Sequence, residues 1–358
     1  PQLAQTHGMS IPTATGVISA FGFAYAAGFL IFGTLSDRLG RRTVMMWGLT
    51  ALALVTAWLT TVEAVPLLLA GRAAQGLAAA TFPPVVIAYL AERGTPRQRV
   101  WSVAWMSTAF LSAGLLGQIY GATVASRWGL GSALLPLAAV FALTAWQLWA
   151  TQADSSRSPA PSLLAGYRPI GRILACPQLR RVYGPALLLL MCFVAFYMGL
   201  DDHLGPALQA QGITPLVARE LALPAFLAPL VVAVVMPRWG AERVVKIGLV
   251  IATGGLALCA WAGDTHLYGL LAASVVFVAG IGISVPGLIA RVASVAEAPV
   301  RGLAVAFYTF VLFVGASLGP WLAQQTARWP TGQAFLVLAV LLGAAALYAM
   351  TGRRAIAA

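Results

Sequence analysis

Gly33-Thr34-Leu35-Ser36-Asp37-Arg38-Leu39-Gly40-Arg41-Arg42-Thr43 lies between two long apolar stretches. Two glycines, one carboxylate and three arginines fall within these eleven residues. The stretches on either side carry almost no charge. The segment therefore reads as a tight, charged, hydrogen-bonding turn between two helices.

Composition places those helices in lipid. The chain of 358 residues is 60% hydrophobic and 9% charged, with a mean hydropathy of +0.86. Soluble domains carry about 25% charged residues. A spanning helix needs about 20 mostly apolar residues, and runs of that length recur between short polar breaks. They are continuously apolar rather than alternating, which predicts helices and not barrel strands. Eleven spans are expected, with cores near 14–35, 43–61, 65–90, 100–124, 132–150, 182–200, 215–236, 244–262, 267–289, 302–324 and 332–350. Prolines inside them, such as Pro83-Pro84, Pro224, Pro229 and Pro286, are compatible with spans, because neighbouring helices re-satisfy the freed backbone groups.

The net charge of +12 is distributed by side of the membrane. With the 33–43 turn in the cytoplasm and strict alternation thereafter, cytoplasmic segments hold eighteen of the 22 basic residues. Arg127, Arg219 and Arg328 fall on the opposite side and Arg72 inside a span. This is the positive-inside pattern. A nucleic-acid surface would need basic and aromatic residues clustered on a soluble face, and no such face is visible. Cys176, Cys192 and Cys259 suggest no disulfide framework, and the isolated His7, His203 and His266 suggest no metal site.

The 33–43 stretch closely resembles the cytoplasmic signature G-x-L-x-D-R-x-G-R-R/K of the major facilitator superfamily, through Gly33, Leu35, Asp37, Arg38, Gly40, Arg41 and Arg42. The resemblance implies an all-α membrane protein of two pseudo-symmetric six-helix bundles. It also implies that Asp37 caps the start of the span at 302–324 and pairs with a nearby arginine. Carboxylates are favourable at helix N-termini, and arginine–carboxylate forks are strong. Gly33, Asp37, Arg38, Gly40, Arg41 and Arg42 are thus the expected gating residues.

The chain repeats itself at an offset of about 200. Arg38-Leu39-Gly40 recurs as Arg238-Trp239-Gly240 and Gly48-Leu49 as Gly248-Leu249. Arg99 and Gly117 correspond to Arg301 and Gly319. The second signature has decayed, with Pro237, Ala241 and Glu242 opposite Asp37, Arg41 and Arg42. Parallel halves with a midplane cavity are one transporter design. The expected division is a bundle of five spans in 1–152, a cytoplasmic linker at 153–181 and a bundle of six spans in 182–358. The linker holds a polar, proline-bearing stretch, Asp154 to Pro161, then a short amphipathic segment with Arg172, Arg180 and Arg181 suited to the membrane surface. The second half has two spans before its signature and the first half has one. A fragment lacking its first transmembrane helix is therefore expected, with a natural eleven-span protein as the alternative.

Arg72 needs an explanation, because arginine within a span is costly without a partner or a wet cavity. Arg72-Ala73-Ala74-Gln75-Gly76 resembles the superfamily's R-x-x-Q-G signature, which implies proton coupling. The alternative is a side chain that snorkels to the outer surface. Gly114, Gly117 and Gly121 partly resemble the antiporter signature G-x-x-x-G-P-x-x-G-G, with Gln118 in place of its proline. Helix packing is the simpler reading of Gly117 and Gly121, and of Gly315, Gly319 and Pro320 in the later span. Asp201-Asp202-His203 is read as closing the span at 182–200, and Arg219-Glu220 as lying just inside the next, after Thr214-Pro215. Asp201, Asp202 and Glu220, with Arg72 and Gln75, are the proton-coupling candidates; the alternative for the acids is solvated loop charge. Tyr25, Trp105, Gln118, Tyr197 and Tyr308 are candidates for a substrate cavity and serve equally well as packing residues.

The resemblance is strongest to bacterial drug:proton antiporters and sugar exporters. It implies a multi-pass transporter of the bacterial inner membrane that exports a small molecule by alternating access. The implied partners are a small-molecule substrate, protons and the lipid bilayer. A monomer driven by the proton gradient, with no cofactor, is expected. A proton-coupled importer of a small metabolite is the alternative within the fold. A membrane enzyme or sensor is the alternative outside it, and would need a catalytic constellation that the sequence does not display.

Overall fold

The computed structural model describes residues 8–92, 94–150, 168–213, 215–263, 265–297 and 300–351. Every regular element among them is helical. The helices are α1 (Ile11–Leu39), α2 (Arg41–Trp58), α3 (Val65–Ala79) and α4 (Pro83–Glu92). A helical run from Pro96 to Ala150 follows; it breaks at Gly129, where φ is 82 and ψ 167. Its arms carry the spans α5 (Pro96–Ala125) and α6 (Gly131–Ala150). Then come α7 (Ile170–Ala175), α8 (Pro177–Ala210), α9 (Pro215–Glu220), α10 (Ala228–Trp239), α11 (Ala241–Ala262), α12 (Leu267–Val295), α13 (Arg301–Thr326) and α14 (Thr331–Met350). Short 3-10 turns lie at Leu59–Thr61 and Leu223–Leu227.

Eleven of the described helical stretches are long and apolar enough to cross a membrane, as the hydropathy pattern predicts. Two expected spans are not continuous helices. The span at 65–90 turns at 80–82 before Pro83-Pro84, and the span at 215–236 is broken into α9, a 3-10 turn and α10 around Pro224 and Pro229. Proline supplies no N–H and its ring crowds the preceding turn. At the first break Thr81 Oγ1 donates to the Ala78 carbonyl at 2.7 Å, satisfying an acceptor within the segment, as hydrocarbon requires. The polar linker stretch and residues 151–167 lie outside the described residues.

The helices form two compact units. One takes in Pro1–Glu92, Leu116–Ile170 and Gly302–Phe310; the other takes in Arg93–Leu115, Gly171–Arg301 and Val311–Ala358. In the first unit, α1 packs along α3. Leu49, Leu52, Ala78 and Ala145 bring α2, α3 and α6 into one core cluster. In the second, the most extensive pairing is α11 with α12, followed by α11 with α14 and α8 with α14. The rings of Phe196, Phe277 and Phe335 join α8, α12 and α14, at 5.2 Å and 4.9 Å from Phe196.

Lipid gives apolar side chains no reason to leave it, so close van der Waals packing holds such helices together. The α11–α12 contact depends on glycine. A Cβ on Gly255 would stand 2.6 Å from Phe277 Cα, whereas its neighbour Gly254 faces no atom within 4 Å. Gly255→Ala is therefore expected to lose about 1–3 kcal/mol through overpacking. Gly254→Ala is expected to be neutral or to gain up to about 1 kcal/mol from helix propensity. Thermal unfolding of the two variants in detergent checks the pair; equal midpoints would contradict the close crossing.

Candidate functional site

The charged signature is mostly helix. α1 continues through Asp37 and Arg38 to Leu39, and α2 starts at Arg41. The expected eleven-residue turn is reduced to Gly40, whose φ of 93 is a conformation that side chains disfavour. Asp37 and Arg41 consequently lie one turn apart across the junction, and Asp37 Oδ1 meets Arg41 Nη2 at 3.2 Å. The same carboxylate reaches the first turn of α13. Its two oxygens lie 2.6 Å and 2.8 Å from where a Cβ on Gly302 would stand. Only a glycine there admits the carboxylate so close to a helix start, where backbone N–H groups lack intrahelical acceptors. Gly33, one turn earlier, abuts Ala306 of α13. Of the expectation for Asp37, the structure contains the arginine pair and the approach to the start of α13.

The other two arginines diverge. Arg42 Nε donates to the Leu148 carbonyl at 2.6 Å and Nη2 to the Trp149 carbonyl at 2.5 Å. These are among the last carbonyls of α6, which have no intrahelical donor. Arg38 is exposed.

Arg72 does not snorkel outward. Its guanidinium donates to Gln75 Oε1 and sits over the Phe21 ring, 4.5 Å from the centroid. Gln75 Nε2 in turn donates to Thr56 Oγ1 at 2.8 Å, and both residues are buried. Phe21 stacks on Tyr25 at 5.4 Å, and Tyr25 meets Phe29 edge-on at 4.4 Å. No carboxylate pairs with Arg72 among the described residues. The result is a cation held by an amide and an aromatic face, with its charge uncancelled.

A second cluster forms on α8 and α9, and it corrects the reading of Asp201-Asp202-His203 as the end of a span. α8 runs on to Ala210 and stops where Gly212 takes a φ of 70, so all three residues are helical. Helix geometry then separates them. Asp202 is exposed, while Asp201 turns inward and pairs with Arg219. Arg219 also lies 5.6 Å from the centroid of Tyr197, which precedes Asp201 by one turn. Tyr197 Oη, Asp201 Oδ1 and His203 Nε2 are buried without a hydrogen-bond partner among the described residues. Sequence reasoning placed Arg219 and His203 in no site. The i, i+4 spacing of Tyr197 and Asp201 was the available clue, but it does not reveal which cation returns to face them. Glu220 is half-buried beside Arg219 in the chain; Thr214 lies outside the described residues.

The remaining candidates do not join these clusters. Tyr308 is fully buried with no hydrogen-bond partner for its hydroxyl among the described residues, and Trp105 is 58% exposed. Among the described residues neither makes a ring contact or hydrogen bond to Arg72 or Arg219. The side chain of Gln118 lies outside the described residues. Gly315 and Gly319 are packing positions: Cβ atoms there would strike the Leu187 backbone and, at 2.6 Å, Val194 of α8. Pro320 follows within α13. Among the described residues, a Cβ on Gly117 or Gly121 would meet no atom within 4 Å.

The profile of the Major Facilitator Superfamily matches residues 1–320. The chain belongs to the Major Facilitator Superfamily. It is a multi-pass membrane transporter rather than an enzyme. Among curated superfamily members, it is 23% identical over 352 residues to the inner membrane transport protein YajR of Escherichia coli K12, covering 95% of this chain and 76% of that protein. It is 28% identical over 132 residues to the multidrug export protein EmrB of the same organism, covering 36% of this chain and 26% of EmrB. Two solved superfamily structures share the fold. The E. coli fucose:proton symporter FucP superposes with a TM-score of 0.77 at 15% identity, covering 98% of this chain and 92% of that one. The proton:xylose symporter XylE does so at 0.75 and 15%, covering 96% and 87%.

Stranding either partner of a sheltered ion pair costs more than removing both. The side chains of Arg219 and Asp201 are 19% and 34% exposed, so a partial penalty of about 1–3 kcal/mol per single variant is expected. Asp201→Asn and Arg219→Gln should each lower the unfolding midpoint, and the double variant should lose less than their sum. Additive losses in detergent would show that the two residues do not act as a pair.

Proposed function

We propose that this superfamily member exports a small molecule, a drug-like compound, sugar or metabolite, in exchange for inward-moving protons across a bacterial inner membrane. Alternating access is the mechanism, with the repeats 1–152 and 182–358, joined through 153–181, as the moving halves. The observation that carries the proposal is the Asp37 carboxylate, bridged to Arg41 and set against Gly302 at the start of α13. A carboxylate in this position acts as a latch: its charge ties the end of α1 to Arg41 and sits against the start of α13, and losing that charge weakens the hold. Arg72 is the proposed partner of coupling in α3. Asp201 with Arg219 is the proposed proton-responsive pair in the second compact unit. The drug-export name of EmrB supports the outward direction.

Hydrogen bonds to charged groups contribute about 1.5–3 kcal/mol against about 1 for neutral ones. The difference corresponds to roughly tenfold in an equilibrium. Asp37→Asn is therefore expected to insert and purify normally yet lose about tenfold or more of transport rate. Everted vesicles energised to an acidic lumen, with acridine orange reporting the pH gradient, provide the measurement. Addition of ethidium, tetraphenylphosphonium or a sugar should release protons in the wild type and little in Asp37→Asn. Wild-type rates in the variant would remove the latch, and loss of substrate preloaded in the lumen together with lumenal protons would replace export with import.

For Arg72, charge and fork geometry separate. Arg72→Lys keeps the cation over Phe21 but not the planar guanidinium. It is expected to retain part of the proton release, and Arg72→Ala none. Native rates in both variants would show that the arginine serves packing alone.

A further inference from the structure

The second copy of the signature has kept its glycine turn and lost its acid. Gly240 has a φ of 74, close to the 93 of Gly40, but Pro237 stands where the first copy has Asp37. The repeat that aligns Arg301 with Arg99 also aligns Gly302 with Val100. The polar contact of Asp37 with Gly302 thus has an apolar counterpart, and Val100 packs against the cluster of Val232, Met236 and Val244.

Beside that contact, between the start of α5 and the end of α10, lies a pocket of about 560 Å³. All its lining residues belong to one compact unit. Val100, Trp101, Ala233 and Val234 form an apolar wall, and Arg97 and Arg238 are its charged groups. Both arginines are exposed. Neither has an ion pair or hydrogen bond among the described residues, and no acid lines the pocket. The nearby carboxylate of Glu242 is engaged by Lys246 at 2.8 Å and Arg291 at 3.0 Å. Two cations without a counter-charge therefore border an apolar wall, at helix ends that the arginine asymmetry assigns to the cytoplasm.

We propose that this pocket binds one anionic phospholipid of the cytoplasmic leaflet. Its phosphate is held by Arg97 and Arg238, and an acyl chain runs along Val100, Trp101 and Val234. Charge complementarity selects an anion, and basic pockets between spanning helices on this side suit anionic headgroups. The apolar wall selects a lipid over a free anion, which would gain nothing from it. Val234, 55% exposed, opens the wall to the bilayer.

Native mass spectrometry of the full purified chain tests this, independently of transport. Phosphatidylglycerol is titrated against phosphatidylcholine, with inorganic phosphate as competitor. Phosphatidylglycerol is expected to bind about tenfold tighter than phosphatidylcholine and to resist millimolar phosphate. Each arginine near an anionic headgroup contributes roughly fivefold. The Arg97→Gln/Arg238→Gln variant should therefore lose more than about tenfold, while Arg97→Lys/Arg238→Lys retains most of the affinity. Val234→Trp, which fills the wall without altering charge, should also weaken binding and serves where the glutamine variant does not stay monodisperse. Equal affinity for the two lipids, unchanged binding in the glutamine or tryptophan variant, or displacement by phosphate would each overturn the assignment.

Discussion

A charge surrounded by hydrocarbon is held only by what is packed against it, and this chain holds its few charges in different ways. An arginine at the centre of a span costs about 2.5–3.5 kcal/mol on insertion scales. A hydrogen bond to a charged group returns about 1.5–3 kcal/mol and a desolvated cation–π contact about 2. Arg72 has one of each, from Gln75 and Phe21. Its position is thus supportable without an acid, and its charge stays available to another group. Asp201 is treated differently. A cation from a separate short helix returns to it, while its second oxygen and the hydroxyl of Tyr197 have no hydrogen-bond partner among the described residues. Such a partly satisfied network costs stability.

The backbone obeys the same rule. Hydrocarbon tolerates a broken helix only where the freed groups find partners. The breaks before Pro83 and around Pro224 and Pro229 occur inside stretches that hydropathy reads as single spans. At the first, the Thr81 hydroxyl donates to the Ala78 carbonyl; at the second, the N–H groups of Ala222 and Ala225 donate to the Arg219 and Ala222 carbonyls. Glycine plays the complementary part where helices cross. Gly255 at Phe277 and Gly319 at Val194 leave no room for a methyl group, and that exclusion fixes the register of the helices.

The internal repeat shows how one design diverged. Both copies retain a glycine turn with positive φ. The first copy sets a carboxylate against a helix start; the second sets Pro237 and Val100 in the equivalent places. One junction therefore contains a carboxylate, and its counterpart is an apolar contact beside two arginines that have no ion pair among the described residues.

The number and helical type of the spans, the internal repeat and the pairing of Asp37 with a nearby arginine were legible in the amino-acid sequence, and the placement of arginine sets the expected orientation. Each rests on a local or periodic property: apolar run length, the placement of arginine, and a signature whose spacing follows the chain. Helix-facing geometry was less legible. Asp201 and Asp202 are adjacent in sequence, yet one turns inward to Arg219 and the other outward, because successive helical residues point about 100° apart. The reach of α8 to Ala210 was hidden by its polar residues, which hydropathy scores as an ending. Only tertiary structure decided that Arg72 turns to Phe21 and Gln75, that Arg42 caps α6, that Gly117 and Gly121 meet no neighbour among the described residues while Gly315 and Gly319 do, and that Arg97 and Arg238 share a pocket. These are pairings between residues distant in the chain, and a contact set by packing of whole helices leaves no spacing in the sequence from which to read it.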